Sequence, residues 1–280
     1  MGLNPFWQED FFLTVQNFHH DARIFEAEPY FIVECRPYLL INLIPLDNNF
    51  TGEELRLLQE TYQKHNIQLV HLWEDIWLGK RAQVLSRIRS FLGLNTSIHG
   101  RKTKIENLSK QQISNFLDQH HLQGFINAKY HYGLIVGSEL IAAASFSATR
   151  PMKSKGIAYL SAELVRFATK DGFTVVGGLS KLIKHFTKQF EMNDLMTYAD
   201  RDWSLGKGYD QLGFTLSKIT EPVNLYVHRE TLIRYFQHRL PKDIMLAFET
   251  QKGLALDDFL ALNGFIKVFN TGNLKYHLYL

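Results

Sequence analysis

The 280-residue sequence predicts an α/β chain of the α+β kind, two modules of mixed sheet and helix followed by a tail. Short β-rich runs joined by turn residues alternate with stretches in which apolar residues recur at helical spacing. A hydrophobic content of 45% is enough for a substantial core. The order of elements divides the chain into 1–98, 99–229 and 230–280.

In the first module, 30–35 and 38–44 are β-rich runs parted by Arg36-Pro37, which reads as a hairpin. Thr51 is placed to cap a helix with Glu53 and Glu54 in its first turn, and Leu55, Leu58 and Tyr62 follow at helical spacing. Residues 67–73 read as a buried strand. Val84, Leu85, Ile88 and Leu92 stripe a second helix that Gly93 stops, giving β-β-α-β-α.

The second module opens with a helix after Ser109, carrying Ile113, Phe116 and Leu117. A hairpin of 130–136 and 140–149 turns at Gly137-Ser138-Glu139, and 159–168 supplies the next strand. After Gly177-Gly178, the residues Leu179, Leu182, Ile183, Phe186 and Phe190 share one helix face. A strand at 195–198, a short helix at Tyr209 and a last strand at 224–228 follow. The tail reads as helix over 231–237, a stop at Pro241, and β-like ends at 264–269 and 274–280.

Charge and cysteine usage narrow the function classes. A net charge of +3, from 31 basic and 28 acidic side chains, makes no global field for a polyanion. Locally, Lys80, Arg81, Arg87, Arg89, Arg101, Lys102 and Lys104 meet no aspartate or glutamate between them, and unopposed cations of this kind neutralise phosphates. They define a nucleic-acid alternative. The lone Cys35 excludes an intramolecular disulfide and a thiolate metal cluster. His19-His20 and His120-His121 are adjacent pairs whose side chains point apart, so no metal is expected. Residues 1–10 include Glu9 and Asp10 rather than a basic stretch before an apolar run. No apolar run approaches the ~20 residues of a spanning helix, and a soluble, cytoplasmic chain is expected.

The chemistry concentrates in two places. Leu164-Val165-Arg166-Phe167-Ala168 leads through a loop into Val175-Val176-Gly177-Gly178-Leu179-Ser180-Lys181, a strand running into a glycine pair at a helix start. Such a turn leaves backbone N–H groups that a pyrophosphate can approach. The second place is Tyr198-Ala199-Asp200-Arg201-Asp202-Trp203-Ser204, directly after a strand, where Asp200 or Asp202 could take a proton from an amine.

The order hairpin, long strand, glycine-started helix and then Tyr209-Asp210-Gln211-Leu212-Gly213-Phe214 resembles the GNAT acyltransferase superfamily over somewhat under half the chain. That resemblance implies an enzyme moving an acyl group from acyl-coenzyme A to an amine acceptor. It implies that the coenzyme A pyrophosphate lies on 175–181 and that Tyr209 protonates the departing thiolate. The family's helix-opening motif begins with Arg or Gln; here Thr174 or Val175 holds that position, depending on which glycine is matched first.

Ile67-Gln68-Leu69-Val70-His71-Leu72-Trp73-Glu74-Asp75 resembles the late strand of restriction-endonuclease-like folds related to very-short-patch repair nucleases. An active member pairs an acidic residue with Glu-x-Lys, and the nearest match is Glu34-x-Arg36, in which arginine stays protonated. A degenerate, non-cutting module is the expectation. The Tyr-Ala-Asp-Arg-x-Trp-Ser run is similar to uncharacterised phage and mobile-element proteins. In that lineage the GNAT fold would be a scaffold and the 80–104 segment would bind nucleic acid.

Overall fold

The computed structural model describes residues 3–156, 158–251 and 253–280. The chain is mixed α/β and forms two compact units. The first gathers Met1–Arg81, Asp200–Leu205 and Thr220–Asn273; the second gathers Ala82–Ala199, Gly206–Ile219 and Leu274–Leu280. These units do not follow the expected divisions at 98 and 229. The tail enters both, because its last strand, Asn273–Tyr279, pairs with Thr215–Ile219 in the second unit. No helix among the described residues is long and apolar enough to cross a membrane.

In the first unit the expected hairpin and helix form, and a helix Trp7–Gln16 and an edge strand Arg23–Ala27 precede them. The sheet order is Arg23–Ala27, Tyr30–Arg36, Leu39–Ile44, Gln68–Trp73, with the last two parallel. Thr51 and Glu54 make a reciprocal capping box at the start of Gly52–Lys64. A second sheet places Asn224–His228 between Arg234–Phe236 and Phe265–Phe269. Residues 224–228, expected to close the second module's sheet, therefore belong here.

Two expectations for the tail are overturned. Residues 231–237 do not form a helix: the chain turns at Leu232, φ 57°, and returns as the strand Arg234–Phe236. Pro241 does not stop a helix but precedes Lys242–Thr250 as its N-cap, where a fixed φ and a missing N–H cost little.

Val84 and Ile88 lie on the later part of Glu74–Phe91, with Leu92 just past its end, and the helix breaks at Lys80, φ −137° and ψ 33°. The break falls beside the limit between the two units at Arg81.

The second unit is built on the strand order Thr215–Ile219, Asn273–Tyr279, Asp194–Asp200, Leu160–Thr169, Glu139–Phe146, Tyr130–Val136, Lys104–Asn107. A two-residue strand, Arg150–Pro151, pairs with the start of Leu160–Thr169. One face carries Ala162, Leu164, Leu195 and Ala199 against Leu182, Ile183 and Phe186 of the helix Gly178–Thr187. The helix Lys110–His120, capped by Ser109, buries Ile113, Phe116 and Leu117 against Ala143 and Ala168.

Candidate functional site

Leu160–Thr169 and Asp194–Asp200 are parallel, but their pairing runs only from Ser161↔Asp194 to Glu163↔Met196. Beyond that point Leu160–Thr169 shifts register between Leu164 and Arg166 and continues along Glu139–Phe146 instead. Extra residues of this kind bend a strand away from its partner. The two strands thus open towards their C-terminal ends. Across the gap the Thr197 hydroxyl donates to the Leu164 carbonyl at 3.0 Å.

The chain between these strands contains the glycine pair. Phe173–Val176 lies parallel to Thr96–His99 as a separate two-stranded ladder. Gly177 then takes φ 72° and the helix Gly178–Thr187 begins. A left-handed φ suits glycine. A Cβ at Gly178 would lie 2.7 Å from Val175 Cγ1 and 2.9 Å from Leu134 Cδ1, whereas one at Gly177 would meet nothing within 4 Å. Gly178 is therefore fixed by packing and Gly177 by backbone conformation, with the Val176–Gly177 side of the turn exposed.

The opposite side of that turn is covered by the Gly100–Lys102 turn. A Cβ at Gly100 would lie 3.1 Å from the Gly177 carbonyl carbon and 3.2 Å from the Gly178 nitrogen. Lys181 holds the contact: its ammonium donates to Gly100 O at 3.0 Å and to Thr103 O at 2.5 Å. Of the expected phosphate-binding residues, Lys181 is thus spent on backbone carbonyls, Val175 is buried, and Leu179 packs on the core. The neighbouring Arg101 and Lys102 are exposed. Their place against the glycine turn was not legible from spacing, because 74 residues of chain lie between Lys102 and Gly177.

Tyr209 stands on the short helix Lys207–Gln211. Its ring packs on Phe214 and Tyr276 at centroid distances of 5.4 and 5.5 Å. Thr197, the residue that spans the opened strands, acts on its phenol electrostatically. Burial pushes the phenol above its ordinary value, while Thr197 and the Arg87 and Arg166 guanidinium groups pull it back.

Asp200 and Asp202 are grouped with the first unit, apart from Tyr209. Asp202 is buried, and its Oδ1 accepts from the Thr271 amide at 2.9 Å and hydroxyl at 2.7 Å. Burial raises its carboxyl pKa, against the pull of Thr271 and Arg234. That carboxylate holds a loop and is not presented to an amine, which corrects its expected role. Asp200 Oδ1 accepts from the Asp202 amide at 3.0 Å.

A carboxylate that sequence reasoning missed lies on the other sheet face. The pairings Arg150↔Ser161 and Glu163↔Met196 put Arg150, Glu163, Met196 and Tyr198 on one side, because side chains two apart share a face. Lys275 joins them, its ammonium 5.9 Å from the Tyr198 ring centre. Burial raises the Glu163 pKa, and the Arg150, Arg166 and Lys275 charges oppose that rise. Alternation along 160–169 was the available signal, but the register shift after Leu164 obscures it.

Lys80 and Arg81 fall in the first unit, and Arg87, Arg89, Arg101, Lys102 and Lys104 in the second. Arg81 is bound to Asp10 and Thr14 and lies 4.4 Å over the Trp77 ring; Arg87 lies 4.9 Å over Phe91.

No known protein-family description matches the sequence, and no curated protein matches it. Solved structures with a similar chain trace include an acetyltransferase of Bacillus subtilis in complex with CoA, at 16% identity over 64% of this chain and 99% of that one, TM-score 0.36. Another is an IAA acetyltransferase from Bacillus cereus, at 13% identity with the same coverages and TM-score 0.36. A third is a GNAT family acetyltransferase from Elizabethkingia anophelis with acetyl-CoA bound, at 12% identity, the same coverages and TM-score 0.35. At such identities no residue role transfers from them to this chain.

Proposed function

We propose that the second unit is a GNAT-type acyltransferase that moves an acyl group from acyl-coenzyme A to an amine. The observation that carries this reading is the parallel pair that parts after Glu163↔Met196, with a glycine-opened helix as the connection between its strands. In α/β sheets ligands gather at the C-terminal ends of parallel strands, and a helix start there offers N–H groups to a pyrophosphate. The amides of Leu179 and Ser180 take that role. Arg101 and Lys102 add the positive charge that Thr174 and Val175 lack.

In this reading Glu163 takes a proton from the acceptor ammonium, and the freed nitrogen attacks the thioester carbon. As the new C–N bond forms and the C–S bond breaks, Tyr209 gives its phenolic proton to the sulfur, and the second proton shed by the nitrogen restores the phenol. A phenol whose charged form is disfavoured by burial is suited to hold that proton until the thiolate appears.

Isothermal titration with coenzyme A tests the reading. Micromolar binding is expected; millimolar or absent binding removes the enzyme. Tyr209→Phe is expected to lower turnover ~10²-fold or more with coenzyme A affinity kept.

For the first unit we propose a non-cutting, endonuclease-like module of phage or mobile-element lineage. In support, Arg23 donates to both Glu34 oxygens at 3.0 to 3.2 Å and Arg36 donates to the Tyr38 hydroxyl at 2.8 Å, leaving that pair committed. Nicking of supercoiled DNA in the presence of magnesium would overturn it.

A further inference from the structure

Two carboxylates stand on the same sheet face with opposite fates. Asp194 Oδ2 accepts from His277 Nδ1 at 2.8 Å, Lys155 Nζ at 2.9 Å and the Tyr159 hydroxyl at 2.9 Å. Glu163 lies two residues along from Ser161, the partner of Asp194. Among the described residues its carboxylate makes no ion pair with Arg150 or Lys275; their charges and that of Arg166 act on it through space. Arg150 rests instead on the Met196 sulfur at 3.9 Å, and Lys275 faces the Tyr198 ring, which is 42% exposed.

A partly buried carboxylate near cations that do not close on it is electrostatically incomplete. Proteins settle such charges by ion pairing or by hydrogen bonds, and among the described residues neither closes on the Glu163 carboxylate. A ligand with both signs of charge satisfies both sides at once: its ammonium reaches Glu163, and its anionic end reaches Arg150 and Lys275. A ligand with only an amine leaves the two cations unmet, and one with only a carboxylate leaves Glu163 unmet. Tyr198 between them offers an aromatic surface to the ligand's body.

We infer that the acceptor is a small zwitterionic amine, an amino acid, bound on the Arg150, Glu163, Tyr198 and Lys275 face. This rests on the acyltransferase reading and names its substrate class. Glu163 removes one proton from the ammonium, the amine nitrogen takes the acyl carbon from sulfur, and the product is an N-acyl amino acid plus coenzyme A thiol. The product has lost its ammonium charge, so Glu163 no longer attracts it, which favours release.

The test uses the full chain with acetyl-CoA and a panel of free amino acids, each beside its decarboxylated amine. Isothermal titration of the same amino acids without coenzyme A runs in parallel. Amino acids are expected to exceed the matching amines by tenfold to about a hundredfold in kcat/KM, the span of one or two charge-assisted bonds. Arg150→Met and Lys275→Met are expected to raise KM for the amino acid more than they lower kcat, collapsing that ratio. Glu163→Gln is expected to lower kcat and flatten the acid limb of the pH profile. Equal use of amino acids and amines, or no amino-acid binding in the titration, overturns the inference even if acyl transfer to simple amines is seen. Absent coenzyme A binding with amino-acid binding intact overturns the underlying enzyme reading instead.

Discussion

Thr197 donates its only hydroxyl hydrogen to the Leu164 carbonyl at 3.0 Å, and the same hydroxyl holds the Tyr209 phenol lower than burial alone would. Thr197→Val removes both interactions. The variant is expected to lose about 1 to 2 kcal/mol of stability from the orphaned buried carbonyl. It is also expected to move the Tyr209 titration further upward, because Thr197 pulls that pKa down. Titration of tyrosines carrying ¹³C at Cζ, with Tyr209 assigned from Tyr209→Phe, checks this. An unmoved Tyr209 midpoint rejects the coupling.

The two glycines of the turn should respond differently to alanine. At Gly178 the added carbon falls 2.7 Å from Val175 Cγ1 and 2.9 Å from Leu134 Cδ1, both in the core. Overpacking of that kind costs roughly 1 to 3 kcal/mol. At Gly177 the carbon enters open space, and the penalty comes from φ 72° alone, about 1 kcal/mol. Urea unfolding of Gly177→Ala and Gly178→Ala measures both. Equal losses would mean that the Gly178 packing has been overstated.

Much of this architecture was legible because local signals agreed with the fold. Thr51 caps where its spacing predicted, the helix expected after Ser109 forms, and the helix after Gly177-Gly178 buries Leu182, Ile183 and Phe186 as its period requires. The strand Thr215–Ile219 was not legible, since all five of its residues are exposed and alternation has nothing to mark. Residues 231–237 misled because Ile233 and Phe236 sit at helical spacing, although long-range pairing with Asn224–His228 decides their conformation. In the site, the glycine turn and Tyr209 could be named from motifs. Thr197, Glu163 and the Gly100–Lys102 turn could not, because tertiary pairing alone brings them to the opened strands.

In the first unit, acid should act through His71. The ring is buried between Asn42 Nδ2, 3.2 Å from its Nδ1, and Leu55 O, 3.0 Å from its Nε2. Nε2 donates to the carbonyl, so Nδ1 must accept from the Asn42 amide, which only the neutral ring can do. Burial, with the Arg201 charge, lowers the pKa to about 4 despite the Leu55 carbonyl. A histidine depressed in the fold contributes stability above its unfolded pKa of ~6.5, and that contribution drains away as pH falls towards 4. The full loss amounts to about 3 kcal/mol by linkage. Urea unfolding at pH 7, 5.5 and 4.5 measures it, and His71→Gln is expected to flatten the dependence over this window. A wild-type profile that is already flat there rejects the buried neutral ring.

Asp194 should set a second, lower acid threshold in the second unit. Burial alone would raise its carboxyl, but Ser161, Lys155, His277 and Tyr159 outweigh it and hold the group at about 2. The sign is that of a depressed acid: the stabilisation is complete above the unfolded pKa of ~3.9 and disappears as pH falls through 2. The shift corresponds to about 2 kcal/mol at neutral pH. Asp194→Asn keeps the shape but gives up the charge that Lys155 and His277 meet, so its stability at pH 7 should fall by at least that amount. Its profile should be flat between pH 4 and 2, where the wild-type protein weakens. The same variant leaves Arg150, Glu163, Tyr198 and Lys275 in place, so its amino-acid binding should survive wherever the protein remains folded. Loss of that binding in folded Asp194→Asn protein would show that the two carboxylates act as one network.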